Sequence, residues 1–115
     1  MKFIKLLLVM LIPVFGYSQS LKISDDMTVV HFNANWNDAN KVDWIGDLSD
    51  CKIKHCDIAT NTAAGTKYKI VVVPTIVIFF EGEEVKRFQA DISFSMKATK
   101  EEVQEVIDEI IMDSF

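Results

Sequence analysis

Two thiols and two imidazoles are the side chains of this 115-residue chain best suited to chemistry: Cys51 and Cys56, His31 and His55. A thiolate attacks disulfides or binds soft metals, and an imidazole moves protons near neutral pH or ligates a metal. The cysteines stand five apart within Cys51–Ile58, a stretch that reads as a β-strand. Side chains five apart on a strand point to opposite faces, roughly 16 Å from each other. A disulfide needs Cα atoms within about 7 Å, so the two cannot bond to each other while that strand stands. Cys56 then reads as a small buried hydrophobe. Cys51, nearer the strand start, is the candidate reactive thiol, exposed or bridged to another molecule.

These residues need a scaffold, and the chain supplies material for one domain. Half of it is apolar, which excludes a disordered chain, and two cysteines are too few for a disulfide-built one. Met1 to Lys5 carries two lysines, Leu6 to Phe15 is almost unbroken apolar, and Gly16-Tyr17-Ser18 offers small residues before Gln19. That order is a secretory signal peptide over residues 1–18, because ten apolar residues fall short of the roughly 20 a bilayer span requires. The expectation is export to a periplasm or out of the cell, with no stable membrane span once the signal is cut. Residues 19–115 remain as the domain, about 97 residues with a net charge near −7. That acidity, without a Lys/Arg cluster, argues against a nucleic-acid partner or an anionic membrane surface.

Met27–Ala34 is rich in β-branched residues and reads as the first strand. Asn37 suits a helix N-cap with Asp38 on its dipole, and Val42, Ile45 and Leu48 suggest a helix running to Leu48. Asn61–Tyr68 reads as a loop with a helical turn or two. A buried strand starts after Pro74 and ends near Phe80, Glu81-Gly82 turns the chain, and Val85–Ala90 returns antiparallel. Thr99 and Glu102 form a capping box ahead of Val103, Val106, Ile107, Ile110 and Ile111, one apolar helical stripe. Ile92, Phe94 and Met96 alternate like a strand; they either extend the sheet and are buried on it or form an apolar surface that serves as a partner site.

The run Val29-Val30-His31-Phe32-Asn33-Ala34-Asn35-Trp36 resembles the strand that enters the thioredoxin active site. Lys67-Tyr68, Ile70 and Val73-Pro74-Thr75 resemble the family's approach to its cis-proline, and Phe79–Glu83 its following hairpin. The resemblance covers most of residues 19–115 but leaves no room for the family's first strand and helix. It implies a minimal thioredoxin-like α/β fold: a mixed four-stranded sheet in the order β-α-β-loop/short helix-β-β-α, with helices on both faces.

The chemistry departs from the family. Where thioredoxins carry Cys-Gly-Pro-Cys after the tryptophan, this chain has Asn37-Asp38-Ala39-Asn40. A carboxamide cannot ionise to replace a thiolate, so dithiol catalysis at this place is excluded. The resemblance also puts His31 and His55 where many thioredoxins have a buried Asp and a Lys in contact. Such a pair could respond to pH. As half of a metal site it has only Asp57 to add, too few ligands for a closed tetrahedral centre, and no metal or other cofactor is expected. The resemblance further implies that Pro74 is cis and that Trp36, Asn37, Asn40, Val73 and Pro74 outline a groove for an extended peptide. The resulting expectation is an exported binding module, not an enzyme, whose partner is a protein or extended peptide. Two alternatives stand beside it: a redox protein acting through Cys51 or Cys56 in an intermolecular disulfide, and a pH- or metal-responsive protein built on His31 and His55.

Overall fold

A computed structural model describes residues 21–115; the signal-peptide reading of residues 1–18 lies outside the described residues. Four strands form one sheet in the order β2-β1-β3-β4. They are β1 (Thr28–Asn33), β2 (Lys52–Asp57), β3 (Thr75–Phe80) and β4 (Glu83–Gln89). β1 runs parallel to β2 and antiparallel to β3, and β3 pairs antiparallel with β4. The two central strands are the β-branched and aromatic runs Thr-Val-Val-His-Phe-Asn and Thr-Ile-Val-Ile-Phe-Phe, buried on both sides.

Strand alternation divides the core into two clusters. On one face Val29, Ile76 and Ile78 meet Val42, Ile45 and Leu48 and the helix α2 (Lys100–Asp113) through Val103 and Ile107. On the other, Val30, Phe32, Val77 and Phe79 meet Ala64 of α1 (Thr62–Lys67), with Leu21 and Ile23 packed alongside. Helices therefore lie on both faces of a mixed four-stranded sheet, the architecture the resemblance implied.

The helix ends explain themselves. Asn61 caps α1 by accepting from the Ala64 N–H at 3.1 Å. Both halves of the Thr99–Glu102 capping box are present on α2, an arrangement worth about 1 kcal/mol. Arg87 of β4 holds Glu84 and donates to the carbonyls of Tyr68 and Lys69, tying the sheet edge to the end of α1.

Two expectations are corrected. No α-helix runs from Asn37 to Leu48: the segment forms two 3-10 turns, Asn35–Asn40 and Ile45–Asp47, and Asn37 sits inside the first with φ −112° and ψ 22°, not at an N-cap. Asn35, Asn37, Asp38, Asn40, Asp43 and Asp47 are side chains that compete for backbone hydrogen bonds, and Gly46 adds backbone freedom. Val42, Ile45 and Leu48 still fill the core, so burial survives without the helix. Residues 91–98 do not extend the sheet either. Asp91 to Phe94 is a turn closed by the Phe94 N–H on the Asp91 carbonyl at 3.0 Å, with Phe94 at φ 63°. Ile92 is fully exposed there, while Met96 turns in against the α2-side core.

Candidate functional site

β1 leads directly into the place where the sequence lacks its sulfurs. Asn33 ends the strand, Ala34 turns the chain, and Trp36, Asn37 and Asn40 follow in the first 3-10 turn. Across from them the Val73–Pro74 peptide bond is cis, and both residues are buried. Asn37, only 5% exposed, fills the space between. Its amide nitrogen donates toward Asn33 Oδ1 at 3.1 Å, the Val73 carbonyl at 3.4 Å and the Phe94 carbonyl at 3.2 Å. Its amide oxygen accepts from Asn40 Nδ2 at 3.0 Å, and its carbonyl accepts from Asn33 Nδ2 at 3.2 Å. This is a closed carboxamide network with no ionisable member. One NH2 group has two hydrogens and here faces three acceptors, so the acceptors must share them.

Of the five groove residues, Trp36 and Asn40 are exposed and the other three are buried. Trp36 is not bare. Phe94 from the 91–95 turn lies edge-on to its indole, ring centres 5.3 Å apart. The resemblance gave no place to Phe94 in the site. Its alternation with Ile92 and Met96 marked it as apolar, but only the fold brings it to Trp36.

His31 and His55 are partners in the β1–β2 register, and their Nδ1 atoms are 3.2 Å apart. The Val42 N–H donates to His31 Nε2 at 3.3 Å, which fixes the tautomers. His31 carries its hydrogen on Nδ1 and gives it to His55 Nδ1, leaving His55 with an Nε2–H. Burial, then the fields of His55 and Lys41, lower the His31 pKa from 6.5 to about 4. The two rings line a pocket of about 220 Å³ together with Asn35, Asp38, Lys41 and Asp57. A metal at the paired Nδ1 atoms would have to drive the His31 proton onto Nε2, against the Val42 N–H. Among the described residues no three His, Cys, Asp or Glu are grouped to hold a metal ion.

The two cysteines are free and sit on opposite sides of the sheet: Cys51, half-buried, against the α2-side core, and Cys56, buried, in the α1-side core. Cys51 lies just before β2, not within it. Burial raises both thiol pKa values, with Asp50 adding to the shift at Cys51 and Asp57 at Cys56. Neither approaches the condition of an activated thiolate. No helix among the described residues is long and apolar enough to cross a membrane.

No protein-family model and no curated protein matches the chain. Solved structures do. A mutant thioredoxin from Halobacterium salinarum NRC-1 is 21% identical, with a TM-score of 0.60 over 74% of each chain. Thioredoxin-2 of the malaria parasite, a component of its protein secretion machinery, is 13% identical with a TM-score of 0.59, covering 78% of this chain and 88% of its own. A Fasciola hepatica thioredoxin is 27% identical with a TM-score of 0.56 over 75% of this chain and 82% of its own. The chain has a thioredoxin-like fold.

Proposed function

We propose that this thioredoxin-like fold works as an exported binding module without dithiol–disulfide catalysis. It recognises a protein or extended peptide at the surface around Trp36 and the cis-proline. The observation that carries this reading is the Asn33–Asn37–Asn40 network centred on the buried Asn37, which sits where exchange would need a thiolate and hydrogen-bonds the Val73 carbonyl instead. Hydrogen-bonded amides can hold and recognise backbone but cannot attack sulfur. An aromatic such as Trp36 left 63% exposed beside such a network fits a recognition surface. The redox alternative through Cys51 or Cys56 is disfavoured, because both thiols are packed into core and held protonated by burial.

An insulin-reduction assay with dithiothreitol as reductant should give no turnover above background, and Cys51→Ser and Cys56→Ser should change nothing. Turnover that disappears with either serine would make this a redox protein. In parallel, cross-linking in the native exported fraction should capture a partner that Trp36→Ala no longer captures.

Export rests on the positive, apolar, small-residue order of residues 1–18. The intact mass of the protein from its native host should correspond to a chain starting at Gln19 and residing in the periplasm or the medium. A cytoplasmic protein starting at Met1 would refute that part of the proposal.

A further inference from the structure

Two groups that could recognise a peptide at this surface, the Asn37 amide and the Trp36 indole, already have partners within the chain. The Asn37 amide nitrogen reaches the Val73 carbonyl on one side and the Phe94 carbonyl on the other, so the 91–95 turn lies against the edge of the cis-proline segment. The same Phe94 lays its ring against Trp36. A single residue thus supplies both a main-chain acceptor and an aromatic ring, the two contacts an extended peptide with an aromatic side chain would make. The turn is built as a unit. Its base is closed by the Asp91 N–H on the Ser95 carbonyl, and its interior by the Asp91 carboxylate on the Ser93 N–H and hydroxyl. It can therefore lift without unravelling the sheet beneath.

Two features make the closed position displaceable. Phe94 holds a left-handed backbone at φ 63°, which side chains other than glycine rarely adopt and which an incoming extended peptide need not copy. The Asn37 NH2 is also shared among three acceptors, so releasing the Phe94 carbonyl leaves both hydrogens bonded to the remaining two. We infer that residues 91–95 form an internal strap that occupies the recognition surface as a pseudo-ligand through Phe94. The occupant that displaces it is an extended peptide segment bearing an aromatic residue, whose ring takes the Phe94 place on Trp36 and whose carbonyl takes that of Phe94 on Asn37. This inference rests on the binding reading above and adds to it both the ligand class and a resting, self-occluded state.

The probe is a blocked hexapeptide of the strap sequence, acetyl-Ile-Ser-Phe-Ser-Met-Lys-amide, with its Phe-to-Ala version as control. Binding to residues 19–115 is followed by amide and Trp36 indole shifts in proton–nitrogen NMR spectra, which also report that each variant is folded. Phe94→Gly removes the internal ring and suits the positive φ, and it should bind the phenylalanine peptide at least about tenfold more tightly than the wild type. Phe94→Leu, which keeps apolar bulk without the aromatic edge, should fall between them, and the alanine peptide should lose the gain. Equal binding by wild type and Phe94→Gly would overturn the strap while leaving the binding surface standing. Failure of every form to bind either peptide would overturn the strap and count against peptide recognition at Trp36 as well.

Discussion

Exchanging Asn37 for Asp, a change of one NH2 for one oxygen at almost constant volume, should cost the fold roughly 4 kcal/mol at pH 7.5 or more. The amide nitrogen it replaces is aimed at three oxygens, Asn33 Oδ1 and the carbonyls of Val73 and Phe94. An oxygen in its place confronts all three with a like partial charge, at a position only 5% exposed. Stripping the buried Val73 carbonyl of its donor costs about 1–3 kcal/mol, the part-buried Asn33 and Phe94 oxygens cost less, and burying an unpaired carboxylate adds to it. Against the 5–15 kcal/mol typical of whole domains, a loss of this size is severe. The sign of its pH dependence is diagnostic. The new carboxyl takes up a proton more readily folded than unfolded, so the deficit is full above its raised pKa and shrinks as pH falls through it. Asn37→Ala, which removes the donors without adding charge, should cost about 2 kcal/mol with no such pH dependence. Urea titrations of the three proteins at pH 5 and pH 7.5 measure this directly. A near-neutral, pH-independent Asn37→Asp would mean that the network is not what fills this site.

The wild-type protein should show the opposite trend. The His31 pKa falls from 6.5 to about 4 on folding, with burial the first cause. Between those values the unfolded chain binds the proton that the folded one refuses. Stability is therefore complete above about pH 6.5, erodes as pH falls, and reaches its full loss near pH 4. At ~1.4 kcal/mol per pH unit the interval is worth roughly 3 kcal/mol, and solvent in the pocket beside the ring trims this to about 2 kcal/mol. For a domain of this size the melting temperature should drop by about 10 °C between pH 7 and pH 4. Protonating His31 must put a hydrogen on Nε2, where it meets the Val42 N–H, so the cost has a structural origin as well as an electrostatic one. His31→Gln should flatten the curve between pH 6.5 and 4. Asp91, held down to about 2 mainly by the Ser93 hydroxyl and N–H, contributes only at lower pH, because its stabilisation is lost below the ordinary carboxylate range. A melting temperature unchanged from pH 7 to pH 4 would rule out a buried neutral His31.

The sequence carried the sheet and α2 in plain view. β-branched runs named the two central strands, the turn at Glu81-Gly82 placed β4 after them, and Thr99 with Glu102 announced the helix start that the structure contains. The segment after Trp36 misled for a physical reason. Ala39, Val42, Ile45 and Leu48 recur every third residue, whereas the α2 stripe at 103, 106, 107, 110 and 111 follows the i, i+3, i+4, i+7, i+8 pattern. Only the second pattern follows an α-helix; steps of three suit 3-10 turns. The histidine pairing was legible only through the resemblance, as was the place of Asn37 opposite Val73. Phe94 was legible only within the alternative of an apolar partner surface beside the groove; its contact with Trp36 was not, because β2, β3 and β4 lie between the two in sequence and the contact depends on a positive φ that no propensity announces.

The division of the core by the sheet gives the two thiols separate reporting roles. An alkylating reagent reaches the buried Cys56 only when the α1 side opens, whereas the half-buried Cys51 reacts faster as the α2-side packing loosens. Labelling rates at the two sulfurs therefore time the opening of each half independently, without an engineered probe. In an oxidising compartment the same sidedness means that a covalent dimer through the buried Cys56 would be the signature of a molecule that had already begun to unfold.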